Sequence, residues 1–205
     1  TYDASDAAGN AATQKTRTVV VEDTTAPVIT LLGSQTVTIE VGNSYSDQGV
    51  TASDNYDNTV NVVIGGDAVD TSTLGTYIIT YDASDVAGNI ATQVTRTVNI
   101  VDTTAPTIAL AGNSTITIEA GNSYSELGAS ATDNYDNTVN VVIGGDTVDA
   151  STLGTYVVTY DASDAAGNAA TQKTRTVVVE DTTAPVITLL GSQTVTIEVG
   201  NSYSD

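Results

Sequence analysis

Three copies of one short string, Asp-Thr-Thr-Ala-Pro, stand in strict register along this chain, and that register constrains the fold more than any other feature. Asp23, Asp102 and Asp181 are 79 positions apart, as are Pro27, Pro106 and Pro185, the only prolines among 205 residues. Residues 1–47 align with 80–126 with a few substitutions and are identical to 159–205. The sequence is therefore a tandem array, to be read as such before any motif is sought. A unit of this length exceeds the roughly 20–45 residues of a solenoid repeat and is long enough to close a small core of its own. Two units are complete, 24–102 and 103–181. They are flanked by the C-terminal strands of a preceding unit (1–23) and the N-terminal strands of a following one (182–205). Neither flanking piece suffices to bury a core, so the sequence reads as a window on a longer repetitive polypeptide.

The unit is written in an all-β vocabulary. There is no Cys, Met, His, Trp or Phe, and ten Tyr are the only aromatics. Thr, Val, Ile and Tyr suit a pleated, half-buried surface, whereas Gly, Asn and Asp suit turns. In 24–102 the strand-like runs are 27–32, 36–41, 49–52, 59–64, a stub near Ala68 and Val69, 76–84 and 90–101, with turn residues clustered between them. About seven short strands with a turn signal roughly every ten residues predict an immunoglobulin-like β-sandwich in each repeat. Tyr77 and Tyr156, just inside the strand entered from "TLG", are placed for a tyrosine corner or for an ordinary core position. Gly65-Gly66-Asp67 reads as a hairpin turn. No apolar run approaches the roughly 20 residues of a membrane-spanning helix, so this segment is not expected to insert into a bilayer.

The set "DTTAPVITLLG", Asp-Asn-x-Asp, Leu-Gly-Thr-Tyr and Asp-x-Ala-Gly-Asn resembles the bacterial immunoglobulin-like repeats, related to hyalin-type repeats, that form long arrays on exported surface proteins and adhesins. The resemblance covers the whole repeat. It implies an extracellular, cell-surface, stalk-forming module. Two departures add polar oxygens: Asn58 and Asn137 stand where Gly is usual, and Asp3, Asp82 and Asp161 where Thr is commoner.

Charge separates the remaining functions. The chain carries 25 Asp and Glu against 5 Lys and Arg, a net −20. Nucleic acid and anionic bilayers are thereby excluded as partners. With no His or Cys, the usual general base and activated nucleophiles are missing, so no enzyme is expected. Topology of the immunoglobulin type brings two acidic loops to the end where the linker arrives. The expected clusters are Asp23, Asp54, Asn55, Asp57, Asp82, Asp85 and Asn89 in the first repeat, and Asp102, Asp133, Asn134, Asp136, Asp161, Asp164 and Asn168 in the second, with Asp181 opening the next. Converging carboxylates with few Lys or Arg nearby repel one another. An all-oxygen set on flexible loops suits Ca2+ better than zinc, copper or magnesium. The bland reading is that such Asp and Asn only cap their own turns. The expected function is a calcium-rigidified structural array, the stalk of an adhesin or the body of a surface filament. Its partners would be neighbouring repeats of the same chain and other copies in a filament. The alternative is an adhesive module that recognises glycan or protein through its loops.

Overall fold

Alternation of β-branched and polar residues sets the strands, and the computed structural model describes them for residues 1–204. Two units are distinguished, 1–103 and 104 onward. The first contains β1 (Val28–Leu31), β2 (Thr36–Glu40), β3 (Val50–Ser53), β4 (Asn61–Gly66), β5 (Gly75–Ser84) and β6 (Val94–Val101). A two-stranded antiparallel sheet, β1-β3, is accompanied by a four-stranded sheet in the order β2-β6-β5-β4. In that sheet β2 runs parallel to β6, from Thr36 beside Thr97 to Glu40 beside Val101, and the other neighbours are antiparallel. The second unit repeats the plan with β7 (Thr107–Leu110), β8 (Thr115–Glu119), β9 (Ala129–Thr132), β10 (Val141–Gly145), β11 (Gly154–Ala162) and β12 (Lys173–Glu180). There β7 pairs with β9, and the larger sheet is ordered β10-β11-β12-β8.

The period of two decides what is buried. Along β6, Arg96, Val98 and Ile100 turn inward, while the intervening Thr95, Thr97 and Asn99 lie on the other face. Val98 and Ile100 belong to the first core with Tyr81, Ile79 and Ala83 of β5 and Ile29 of β1, and Ile108, Val158, Tyr160 and Ala162 form the second. Full burial of a side chain such as Val98 contributes about 1.5–3 kcal/mol. The Tyr77 hydroxyl donates to the Thr73 carbonyl at 3.1 Å, and Tyr156 does the same to Thr152, so both are tyrosine corners.

Two local expectations are corrected. Ala68 and Val69 form no strand, because β4 ends at Gly66 and the chain turns outward there. The Asp67 N–H bonds the Ile78 carbonyl at 2.8 Å, and its carboxylate accepts the Ile78 N–H at 2.7 Å. Gly65 and Gly66 are accordingly the last residues of a strand rather than a hairpin turn. Gly66 has φ +85°, and a Cβ there would lie 2.2 Å from the Ile78 carbonyl oxygen. Among the described residues, 1–23 carry only the isolated bridges Tyr2–Lys15 and Ser5–Ala11, and 182–204 carry no strand. A lone hairpin has no second layer on which to bury its apolar face.

Candidate functional site

Short-range hydrogen bonds shape the acidic loops first. In the β3–β4 loop, Asp54 Oδ2 accepts the N–H groups of Tyr56 (2.9 Å) and Asp57 (3.1 Å). These two donors hold the Asp54 carboxyl below its usual range. Asn55, with its amide turned so that nitrogen faces the carboxylate, donates to both Asp54 oxygens at 3.3 and 3.2 Å. In the β5–β6 loop, Asp85 accepts the Asn89 N–H at 2.7 Å and the Asn89 side-chain amide at 2.6 Å. Asp57 ties one loop to the other by accepting the Val86 N–H at 2.7 Å. These are the Asx-type turns that Asp and Asn favour.

The linker then joins the loops. Asn89 donates to the Asp23 carbonyl at 3.2 Å, and Asp23 Oδ1 accepts the Thr25 N–H at 3.1 Å. Carboxylate oxygens of Asp23, Asp54 and Asp85 come within 4.8 Å of one another; Asp23 and Asp54 are half-buried and Asp85 is buried. Asp23 Oδ2 is enclosed and receives no hydrogen bond. Two unit charges at that separation repel by about 1 kcal/mol even at the dielectric constant of water. Turn capping and convergence thus occur together in the same residues.

The only cationic side chain of 24–102 does not relieve this cluster. Arg96, 1% exposed, lies inside the sandwich in an ion pair with Asp47 and donates to the carbonyls of Leu32 and Gly49. Tyr45 and Tyr81 donate to the same Asp47 carboxylate, at 3.2 Å and 2.8–2.9 Å. Arg175 repeats the arrangement with Glu126, Tyr124 and Tyr160. Bulk charge counting misses this pair. The signal was the alternation in Thr-Arg-Thr-Val, which places Arg96 on the face shared by Val98 and Ile100.

The second repeat rebuilds the loops within its own unit. Asp133 accepts the N–H groups of Tyr135 and Asp136, Asp136 accepts that of Ala165 at 2.6 Å, and Asp164 accepts both nitrogens of Asn168. Asn134 holds the position that Asn55 holds in the first loop. Asp102 follows directly on β6 and is buried. Asp181 is exposed, with Oδ1 accepting the Thr183 N–H at 3.1 Å. Asp82 and Asp161 stand apart from the loop clusters. Each lies on the outward-facing register of its strand, and each carboxylate is bonded by the side-chain amide of Gln93 or Gln172 at 2.8–3.1 Å. Residues 161 and 82 neighbour inward-facing tyrosines, so strand alternation directs them to the other face.

Comparison with known proteins gives the fold a family context. The family model described as "Bacterial surface protein, Ig-like domain" matches residues 29–100 and 108–179. Hyalin of Lytechinus variegatus is 37% identical over 218 aligned residues, which cover 98% of this chain and 40% of that protein. Hyalin of Strongylocentrotus purpuratus is 36% identical over 205, covering 91% and 16%. The serine-rich adhesin for platelets of Staphylococcus aureus (strain MSSA476) is 33% identical over 175, covering 73% and 7%. The chain thus spans less than half the length of each of these relatives.

Proposed function

This chain belongs to the bacterial surface-protein Ig-like family, and on that premise we propose that it is an extracellular structural array whose repeats are stiffened by Ca2+ where a linker meets the acidic loops. One observation carries the reading: Asp23 from the linker, Asp54 from one loop and Asp85 from the other bring carboxylate oxygens within 4.8 Å, and the domain's single Arg is engaged elsewhere. A hard divalent cation would neutralise this repulsion. Asp23 Oδ2, enclosed and lacking a donor, is the oxygen most available to it. Asp57 and Asn89 would act as supports, since their hydrogen bonds fix the loops to each other and to the linker. Binding would restrict the hinge, which suits a module serving as adhesin stalk or filament body.

Extracellular calcium modules have dissociation constants on the order of 0.1–1 mM. At ten times such a constant, one site adds about 1.4 kcal/mol. Titration calorimetry should show saturable Ca2+ binding, and small-angle scattering should show a maximum dimension that falls on chelation. No heat, with scattering and melting temperature unchanged by chelator, would sink the calcium reading and leave a stalk that is stiff by protein contacts alone or not stiff at all.

A further inference from the structure

The two threonines of the linker string have donors to place, and the parallel pairing of β2 with β6 decides where. Because these strands run in the same direction, both finish at the same end of the sheet, with Glu40 beside Val101. The chain leaves the domain two residues later, so the side chain ending β2 stands next to the departing linker. Glu40 Oε2 accepts the N–H of Thr103 at 2.9 Å and its hydroxyl at 2.6 Å. The second unit shows the same device. β8 is parallel to β12 and pairs Glu119 with Glu180. Glu119 accepts the Thr182 N–H at 3.0 and 3.1 Å and the Thr182 hydroxyl at 2.6 Å. It also accepts the Thr183 N–H at 3.1 Å and the Thr183 hydroxyl at 2.7 Å.

We infer that Glu40 and Glu119 are cation-independent linker locks, positioning residues that fasten the Asp-Thr-Thr segment to the domain it leaves. A carboxylate offers two oxygens with about four lone-pair sites, and two successive threonines offer four donors, so one Glu can seat both residues. Hydrogen bonds to an ionised acceptor are the shorter and stronger kind, which suits an exposed position where neutral bonds would exchange with water. The spacing is written in the sequence: each Glu precedes its first threonine by 63 positions, Glu40 to Thr103 and Glu119 to Thr182. The inference deepens the structural role proposed above but needs no metal. The proposed cation would be held by Asp side chains of the linker and loops, whereas these glutamates bind the N–H and hydroxyl groups of the linker threonines.

The full chain in chelator is the sample. Amide exchange of Thr103, Thr182 and Thr183, read residue by residue by NMR, should be slowed in the wild type. Glu119→Ala should speed exchange at Thr182 and Thr183 at least tenfold and leave Thr103 untouched, with Glu40→Ala doing the reverse. Glu119→Gln, which keeps one carbonyl acceptor, should fall between. Thr182→Val preserves shape and N–H but removes the hydroxyl, and should speed its own amide about threefold. Exchange of Val98 and Val177 in the cores reports whether a variant has merely loosened its domain. Unprotected linker amides in the wild type, or variants that leave linker exchange unchanged while the cores stay protected, would overturn the lock. Acceleration confined to the linker supports it. Absence of Ca2+ binding in the earlier titration would not alter either result.

Discussion

One domain holds two groups of acidic side chains and treats them in opposite ways. Asp47 is served by Arg96, Tyr45 and Tyr81, and its partner Arg is almost wholly enclosed. Asp23, Asp54 and Asp85 converge with backbone N–H groups and an amide as their donors and no cationic side chain among them. The contrast separates two uses of a carboxylate. A charge matched by the chain itself fastens the fold, while charges left unmatched repel one another, which is the repulsion the proposed Ca2+ would relieve.

The largest disruption of that contrast is expected from Arg96→Met, which leaves Asp47 without its cation and frees the carbonyls of Leu32 and Gly49. Removing one partner of a buried pair typically costs about 3–5 kcal/mol; with Asp47 22% exposed, the lower end, about 3 kcal/mol, is expected in thermal unfolding. Acid tests the same pair in the second repeat. Burial alone would raise the Glu126 carboxyl, but the hydroxyls of Tyr124 and Tyr160, the Gly128 N–H and Arg175 outweigh it and bring it to about 2 from 4.5. A depressed folded value means that the stabilisation is fully present above 4.5 and is lost as pH falls from 4.5 through about 2. The melting temperature of wild type should drop across that window, and Glu126→Gln should flatten the drop.

A smaller effect follows from Tyr81→Phe, which removes the hydroxyl bonded to Asp47 at 2.8–2.9 Å. About 1.5 kcal/mol should be lost in denaturant unfolding, as for hydrogen bonds to charged groups. In wild type, burial and the neighbouring carboxylate push the Tyr81 phenol up to about 12 from 10.0, and a phenol absorbance transition near the upper value should be missing in Tyr81→Phe. The smallest change in stability belongs to the other pole. Asp23→Asn, measured in chelator, should stabilise the first repeat by up to about 1 kcal/mol by removing one of three like charges. The same substitution should weaken Ca2+ binding at least tenfold in calorimetry. Destabilisation in chelator would mean that the three carboxylates do not strain one another.

Strand positions were legible because a sandwich face imposes a period of two, and Thr-Val-Asn-Ile or Tyr-Ile-Ile-Thr-Tyr displays it directly. Loop convergence was legible from topology, and the structure brings Asp23, Asp54 and Asp85 together as that reasoning expects. Asp82 and Asp161 stand apart from the expected clusters because, although the strand is expected to run through them, they are grouped in sequence with the loop acids that follow, whereas β5 and β11 turn them toward Gln93 and Gln172. Arg96 and Arg175 were overlooked for a different reason. A charge total carries no information on location, and a guanidinium can be buried when the fold surrounds it with carboxylate and carbonyl oxygens. The change from Asp47 to Glu126 between repeats, which looks incidental in sequence, occurs in the partner of that arginine.

The parallel pairing of β2 with β6 has a mechanical consequence. Tension on a tandem array enters each domain ahead of β1 and leaves it after β6, so load passed through β1 draws β2 and β6 in opposite directions along their common axis. Such a load shears the ladder from Thr36–Thr97 to Glu40–Val101, stressing its bonds together rather than peeling them one by one. A chain whose repeats resist pulling in this geometry is suited to bearing force between whatever it is tethered to at its two ends.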